Sequence, residues 1–226
     1  MLGTGTFLRT VQRRGAGEEE RFPFTVPAIR SLGTLDLSAR VTFFVGENGS
    51  GKSTLLEAIA AAAGLPAVGS EDVQRDGTLA GQREVEYADR SSYARALAEG
   101  PVRASLGVLE ERYGVDLDAN SHGQSFLRLF QSRFVPGGLY LLDEPEAPLS
   151  PQSQLGLLAM MSDMVGQDAQ FIVATHSPIL MAFPGAAILS FDQDPVERVR
   201  YDEFESVRLV RDFLVDPERY VRRLTQ

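Results

Sequence analysis

Gly46, Gly51, Lys52 and Ser53 stand at the spacing G-x-x-x-x-G-K-S/T, after the apolar run Val41-Thr42-Phe43-Phe44-Val45 and before the Ala- and Leu-rich stretch Leu55–Ala63. Glycines at these positions let the backbone wrap closely and turn its N–H groups inward, which makes a cradle for phosphate oxygens. A helix beginning near Gly51 adds the positive end of its dipole. In such a cradle Lys52 reaches the β- and γ-phosphates and the Ser53 hydroxyl ligates Mg2+. The candidate nucleotide-binding segment is therefore Gly46, Glu47, Asn48, Gly49, Ser50, Gly51, Lys52, Ser53 and Thr54. Of 22 basic residues Lys52 is the one lysine. It falls where a compact ammonium suits the chemistry better than a forked guanidinium.

A second candidate set lies further along. Leu139-Tyr140-Leu141-Leu142 reads as a buried strand that delivers Asp143 and Glu144 at its carboxyl end, where open α/β sheets hold their ligands. Asp143 would hold the Mg2+ shell, directly or through water. Glu144 would orient or deprotonate the attacking water. Taken alone, two acids after a strand are ordinarily just solvated. His176 follows a third strand, Phe171–Ala174, where an imidazole could contact a γ-phosphate or that water. In Asn120-Ser121-His122-Gly123-Gln124-Ser125, a serine and a glycine precede an expected helix, a further anion-binding arrangement. A plain N-cap by Ser121 is the alternative.

These residues need a scaffold. Phe7–Gln12 and Phe22–Ala28 flank a charged, turn-like stretch and predict an antiparallel hairpin. Val41–Val45 predicts a buried strand and Leu55–Ala63 a helix closed by Gly64 and Pro66. Residues 67–90 show little periodicity. Ser91–Glu99 and Val102–Tyr113 read as short helices broken at Gly100-Pro101, and another helix runs from Ser121 to about Phe134. A helix over Ser153–Val165 precedes the third strand. Strands at Ala187–Phe191 and Val196–Tyr201 and two helices about Pro217 complete the chain. Alternating strands and helices predict an α/β fold with a mostly parallel sheet and right-handed crossovers.

Composition narrows the function classes. With 226 residues, 43% hydrophobic and 23% charged, the chain is neither disordered nor collagen-like. It has no cysteine, which excludes disulfides and cysteine-based metal centres. No run approaches 18 apolar residues and the start lacks a signal-peptide pattern, so the expectation is a cytoplasmic protein with no membrane segment of its own. The net charge of −9 argues against nonspecific coating of a polyanion. From Asp192 onward seven arginines face nine acids, so no basic stripe emerges.

The four segments, in this order, resemble the ATP-binding-cassette ATPases. Gly46–Thr54 matches Walker A, Ser121-His122-Gly123-Gln124 is similar to the Ser-Gly-Gly-Gln signature with His for one Gly, Leu139–Glu144 matches Walker B with its following glutamate, and His176 matches the switch histidine. Asp143–Glu146 and Ala174–Pro178 bring the chain nearest to small stand-alone bacterial ATPases related to SMC/RecF-type head domains, AAA/ABC-like P-loop NTPases. The resemblance implies a single ABC-type ATPase domain over 1–226. It also implies an N-terminal antiparallel β subdomain, a reduced helical lobe at about 67–120 and C-terminal helices at 202–226.

What the resemblance implies for function is Mg-dependent ATP binding and hydrolysis. ATP and Mg2+ are the expected cofactors and Lys52, Glu144 and His176 the expected catalytic residues. Ser53 and Asp143 are the expected metal ligands. In the family two copies pair head to tail, so Ser121, Gly123 and Gln124 would contact ATP held by the partner copy, in an ATP-dependent homodimer. Ser150 stands where the family often has an Asp in the loop that crosses the dimer. Gln74 or Gln82 would be the γ-phosphate-sensing glutamine, and Phe22 or Phe24 the adenine-stacking aromatic. Only 69 positions separate Lys52 from Ser121, too few for long paired helices. Relation to head domains suggests nucleic-acid maintenance or defence, with nucleic acid as a partner. A transporter's nucleotide-binding subunit and a slow-turnover ATP-dependent switch are the alternatives.

Overall fold

The computed structural model describes residues 6–13, 22–63, 85–88, 127, 130–131 and 134–224. Among them, β1 (Thr10–Arg13) is followed by α1 (Pro27–Arg30), β2 (Leu35–Asp36), β3 (Val41–Val45) and α2 (Lys52–Ala63). Next come β4 (Val85–Ala88), β5 (Leu139–Asp143), α3 (Pro151–Val165), β6 (Gln170–Ala174) and α4 (Pro178–Met181). The chain closes with β7 (Ala187–Ser190), β8 (Glu197–Val199), α5 (Glu205–Val215) and α6 (Pro217–Leu224).

Five strands form the main sheet in the order β5-β6-β3-β7-β8, parallel except for β8, which runs antiparallel to β7. β3 lies inside this sheet and is buried along its whole length, as its run of Val, Thr and Phe requires of a strand covered on both faces. Phe44, Ile172, Ala174 and Leu189 turn to one face and pack with Leu55, Leu56, Ala58 and Ile59 of α2. Phe43, Val45, Val173 and Ile188 turn to the other and pack with Leu157 and Met161 of α3, Leu180 of α4 and Val207 of α5. Alternation along each strand thus builds an α/β fold of a mostly parallel sheet between two helical layers. Fully burying a phenylalanine such as Phe43 or Phe44 contributes about 2–3 kcal/mol.

A second, antiparallel sheet in the order β2-β1-β4 sits at the N-terminal side. Its attachment runs through Gln170, fully buried at the start of β6. Gln170 Oε1 accepts from Leu8 N at 2.8 Å, and its Nε2 donates to Leu8 O at 2.8 Å and Leu37 O at 2.7 Å. One side chain therefore ties three segments together.

The expected hairpin is corrected. β1 does form, but residues 22–28 give turns and the start of α1, and β1 pairs with β2 and β4 instead. Pro23 and Pro27 explain the difference. Each removes a ladder donor, and Pro27 takes the first turn of a helix, where its fixed φ belongs. The helix before β6 starts at Pro151, with the Ser150 hydroxyl accepting from Ser153 N as its N-cap. β4 falls in the stretch without periodicity; the helices expected at Ser91–Glu99 and Val102–Tyr113 lie outside the described residues. α5 and α6 meet on either side of Pro217 as expected, with Phe213 edge-on to Tyr220 at 5.9 Å.

Candidate nucleotide and metal site

Strand register places the site. Asp143 pairs with Ala174, Ala174 with Phe44, and Phe44 with Leu189, so the carboxyl ends of four parallel strands finish at one level. The loops leaving them gather Gly46–Gly51, Asp143–Glu146, His176 and Asp192 along one edge, where such sheets bind ligands.

The loop after β3 has the conformation its glycines permit. Gly46, Gly49 and Gly51 take φ of 138°, 81° and 104°. A Cβ at Gly46 would stand 2.8 Å from Asp192 Oδ1, and one at Gly51 2.6 Å from Val26 Cγ1. Both glycines are therefore needed for space as well as for φ. Lys52, first residue of α2, is buried with 4% exposure. Its Nζ donates to Gly46 O and Glu47 O, both at 2.8 Å. The Ser50 Oγ is buried with no hydrogen-bond partner among the described residues, a donor left for a ligand in the loop.

Burial pushes the Lys52 ammonium below its ordinary range, and the nearby carboxylates of Glu144, Asp192, Asp143 and Glu146 pull it back up. A cation faced by four acids and closed in by backbone carbonyls is well placed to meet phosphate oxygens once a divalent ion offsets the acids.

Ser53 Oγ donates to Asp143 Oδ1 at 3.1 Å, joining α2 to the end of β5 across 90 positions. Mg2+ takes six oxygens at about 2.0–2.1 Å in octahedral geometry, so adjacent ligands stand about 3 Å apart. This hydroxyl and carboxylate fit one edge of that octahedron. Glu144 holds φ of +44°, an uncommon conformation for a side chain larger than glycine's. Its N donates to Ala174 O at 2.9 Å. His176 Nε2 lies 3.5 Å from Glu144 Oε1, with both side chains about half exposed. A carboxylate and an imidazole thus share a solvent-reached spot beside the loop.

The structure brings together Lys52, Ser53, Asp143, Glu144 and His176. Ser121, His122, Gly123 and Gln124 lie outside the described residues, as do Gln74 and Gln82. Phe24 is buried in the core with 2% exposure, with the Arg13 guanidinium 4.7 Å from its ring centroid. It is therefore closed to stacking on a ligand, whereas Phe22 is exposed.

Asp192, and the contact that Glu146 makes, escaped the sequence reading. Asp192 Oδ1 accepts from Glu47 N at 2.7 Å and anchors the entry of the loop. Glu146 Oε1 accepts from His176 N at 2.7 Å. Asp192 is a single acid in a loop without a motif, and the Asp143–Glu146 run that contains Glu146 does not mark His176 as its partner; position just past a strand's carboxyl end is the signal they share.

Residues 28–100 match the family model of an AAA domain, a range that holds β3, the phosphate loop and α2. No curated protein matches the sequence significantly. Among solved structures, MJ1267, an ATP-binding cassette of an ABC transporter, is similar at 16% identity and a TM-score of 0.47, over 94% of this chain and 97% of its own. Over residues 28–100, which hold the phosphate loop, the chain is thus similar to an AAA domain.

Proposed function

We propose that this chain binds ATP with Mg2+ in the Gly46–Thr54 loop and hydrolyses it, two copies pairing head to tail around the nucleotide. The observation that carries the reading is the convergence of Ser53 Oγ and Asp143 Oδ1 at 3.1 Å beside the buried Lys52. A phosphate cradle and an octahedral edge in one place suit a nucleoside triphosphate better than any uncharged ligand.

Each residue has a part. The loop N–H groups and the Ser50 hydroxyl grip phosphate oxygens. Lys52 neutralises the β- and γ-phosphates, and Ser53 and Asp143 hold the metal. When bound, Mg2+ supplies positive charge where the leaving oxygens become negative. Glu144 takes up the proton of an attacking water, and His176, within reach of Glu144, holds that water or the γ-phosphate. A carboxylate positioned to accept a proton favours turnover over a pure binding switch. Ser121, Gly123 and Gln124 would seal the γ-phosphate of the partner copy, so that ATP joins two chains and its hydrolysis releases them. Such an ATPase would work in the cytoplasm, with nucleic acid as the partner to test first.

Mass measurement of the Glu144→Gln protein by light scattering, with and without Mg-ATP, tests the reading. A dimer with Mg-ATP and a monomer without it are expected, together with ATP binding and no turnover. A monomer throughout overturns the pairing, and full turnover overturns the role of Glu144. Ser121→Arg should spare ATP binding yet block both dimer and hydrolysis. Stimulation of wild-type turnover by added DNA or RNA checks the partner.

A further inference from the structure

Glu146 has no part in the chemistry just described, yet it is the residue that grips the backbone of His176. It lies on the turn between β5 and α3, partly buried. Its Oε1 accepts the His176 N–H at 2.7 Å across 30 positions. Its Oε2 is buried without a hydrogen-bond partner among the described residues. Among the described residues, the His176 N–H is therefore the one hydrogen-bond partner of this carboxylate.

Two other bonds run beside this one. Glu144 N donates to Ala174 O at 2.9 Å. Ser177 Oγ donates to Gln154 Oε1 at 2.5 Å, and Gln154 Nε2 donates to Leu149 O at 3.2 Å. The turn after β5 and the start of α3 are thus tied to the end of β6 and the loop after it at residues 174, 176 and 177 in turn. The Glu144 carboxylate and His176 imidazole face each other at 3.5 Å among these ties. Both residues sit in loops, and among the described residues the tie at residue 176 itself is made by Glu146.

We propose that Glu146 is a positioning residue for hydrolysis: by accepting the His176 amide it fixes the imidazole against the Glu144 carboxylate. This rests on the reading of Glu144 and His176 as the hydrolytic pair. A charged acceptor makes a short, strong bond to a backbone N–H, and displacement of about 1 Å at a reacting centre can cost about a hundredfold in rate. Glutamine keeps an acceptor oxygen at the same reach, whereas leucine keeps the bulk and removes the acceptor.

The test compares ATP hydrolysis by wild type, Glu146→Gln, Glu146→Leu, His176→Ala and the Glu146→Leu/His176→Ala double variant. Glu146→Leu is expected to lower kcat by about 10–100-fold with KM within about twofold, because the loss falls on the transition state and not on ATP binding. Glu146→Gln should stay within about threefold of wild type, since the acceptor remains. In the His176→Ala background Glu146→Leu should add little, as expected of residues acting through one another. Unchanged kcat in Glu146→Leu, or equal losses in both backgrounds, overturns the proposal, as does Glu146→Gln failing like leucine.

A second readout needs no turnover. The His176 amide proton should resonate downfield in wild type by NMR and keep that position in Glu146→Gln. An ordinary shift in wild type overturns the tie even if Glu146→Leu does not fold. Absence of hydrolysis by wild type overturns the proposed function, and with it this role, whatever the amide shows.

Discussion

Gly46 and Asp192 compete for one space: a Cβ on residue 46 would stand 2.8 Å from Asp192 Oδ1, the oxygen that accepts the Glu47 amide. Gly46→Ala therefore faces both a clash and a φ of 138°. It should cost about 1–3 kcal/mol of stability, read as a lowered denaturant midpoint, and should weaken ATP binding. Adding Asp192→Ala clears the space but leaves the backbone strain. The double variant should recover only part of the loss, and full recovery would show that φ carries no cost here.

Lys52 should give the ATP affinity an alkaline limit below pH 10.5, the ordinary value for a lysine, because burial lowers its pKa. The charged form grips phosphate, so affinity falls as pH rises through the lowered value. Stability moves the opposite way. The folded state loses this proton before the unfolded state does, so between the two pKa values the fold gains stability as pH rises. Titrating Kd for a fluorescent ATP analogue across pH checks the first point. Lys52→Arg should remove the alkaline step, since a guanidinium does not titrate there. Lys52→Ala should abolish binding, and unchanged affinity would refute the site.

Metal dependence should track the Ser53–Asp143 pair. Chelation of Mg2+ should stop hydrolysis. Ser53→Ala removes one oxygen from the octahedral edge and should raise the Mg2+ concentration for half-maximal rate by about 10-fold or more. The check is a Mg2+ titration at saturating ATP. An unchanged midpoint would place the ion elsewhere.

Gln170→Leu should destabilise without touching the site. Leucine strands Leu8 N, Leu8 O and Leu37 O, now held by one amide. A loss of roughly 2–4 kcal/mol is expected from buried groups left unpaired, and a fall in Tm of about 5–15 °C. ATP affinity measured well below that Tm should hold.

The parts of this fold legible in sequence are those that obey a short-range rule. The β-branched and aromatic run Val41–Val45, the glycine spacing and the alanine-rich Leu55–Ala63 each signal their structure locally, and together they gave the phosphate loop. Asp143 and Glu144 were legible because an apolar strand must end at the ligand edge. The error at residues 22–28 came from reading apolar residues as a strand while Pro23 and Pro27 forbade one. The contacts of Asp192, Glu146 and Gln170 were invisible for a different reason. Their partners lie 145, 30 and up to 162 positions away, and only the folded sheet brings those partners near.

With Nζ already seated on two carbonyl oxygens, the lysine gives its loop a finished shape before any guest arrives. A host of that kind gives up little chain freedom on filling. Affinity should then climb with the number of phosphoryl groups offered, ahead of the identity of the base, and a bare triphosphate should compete where adenosine does not.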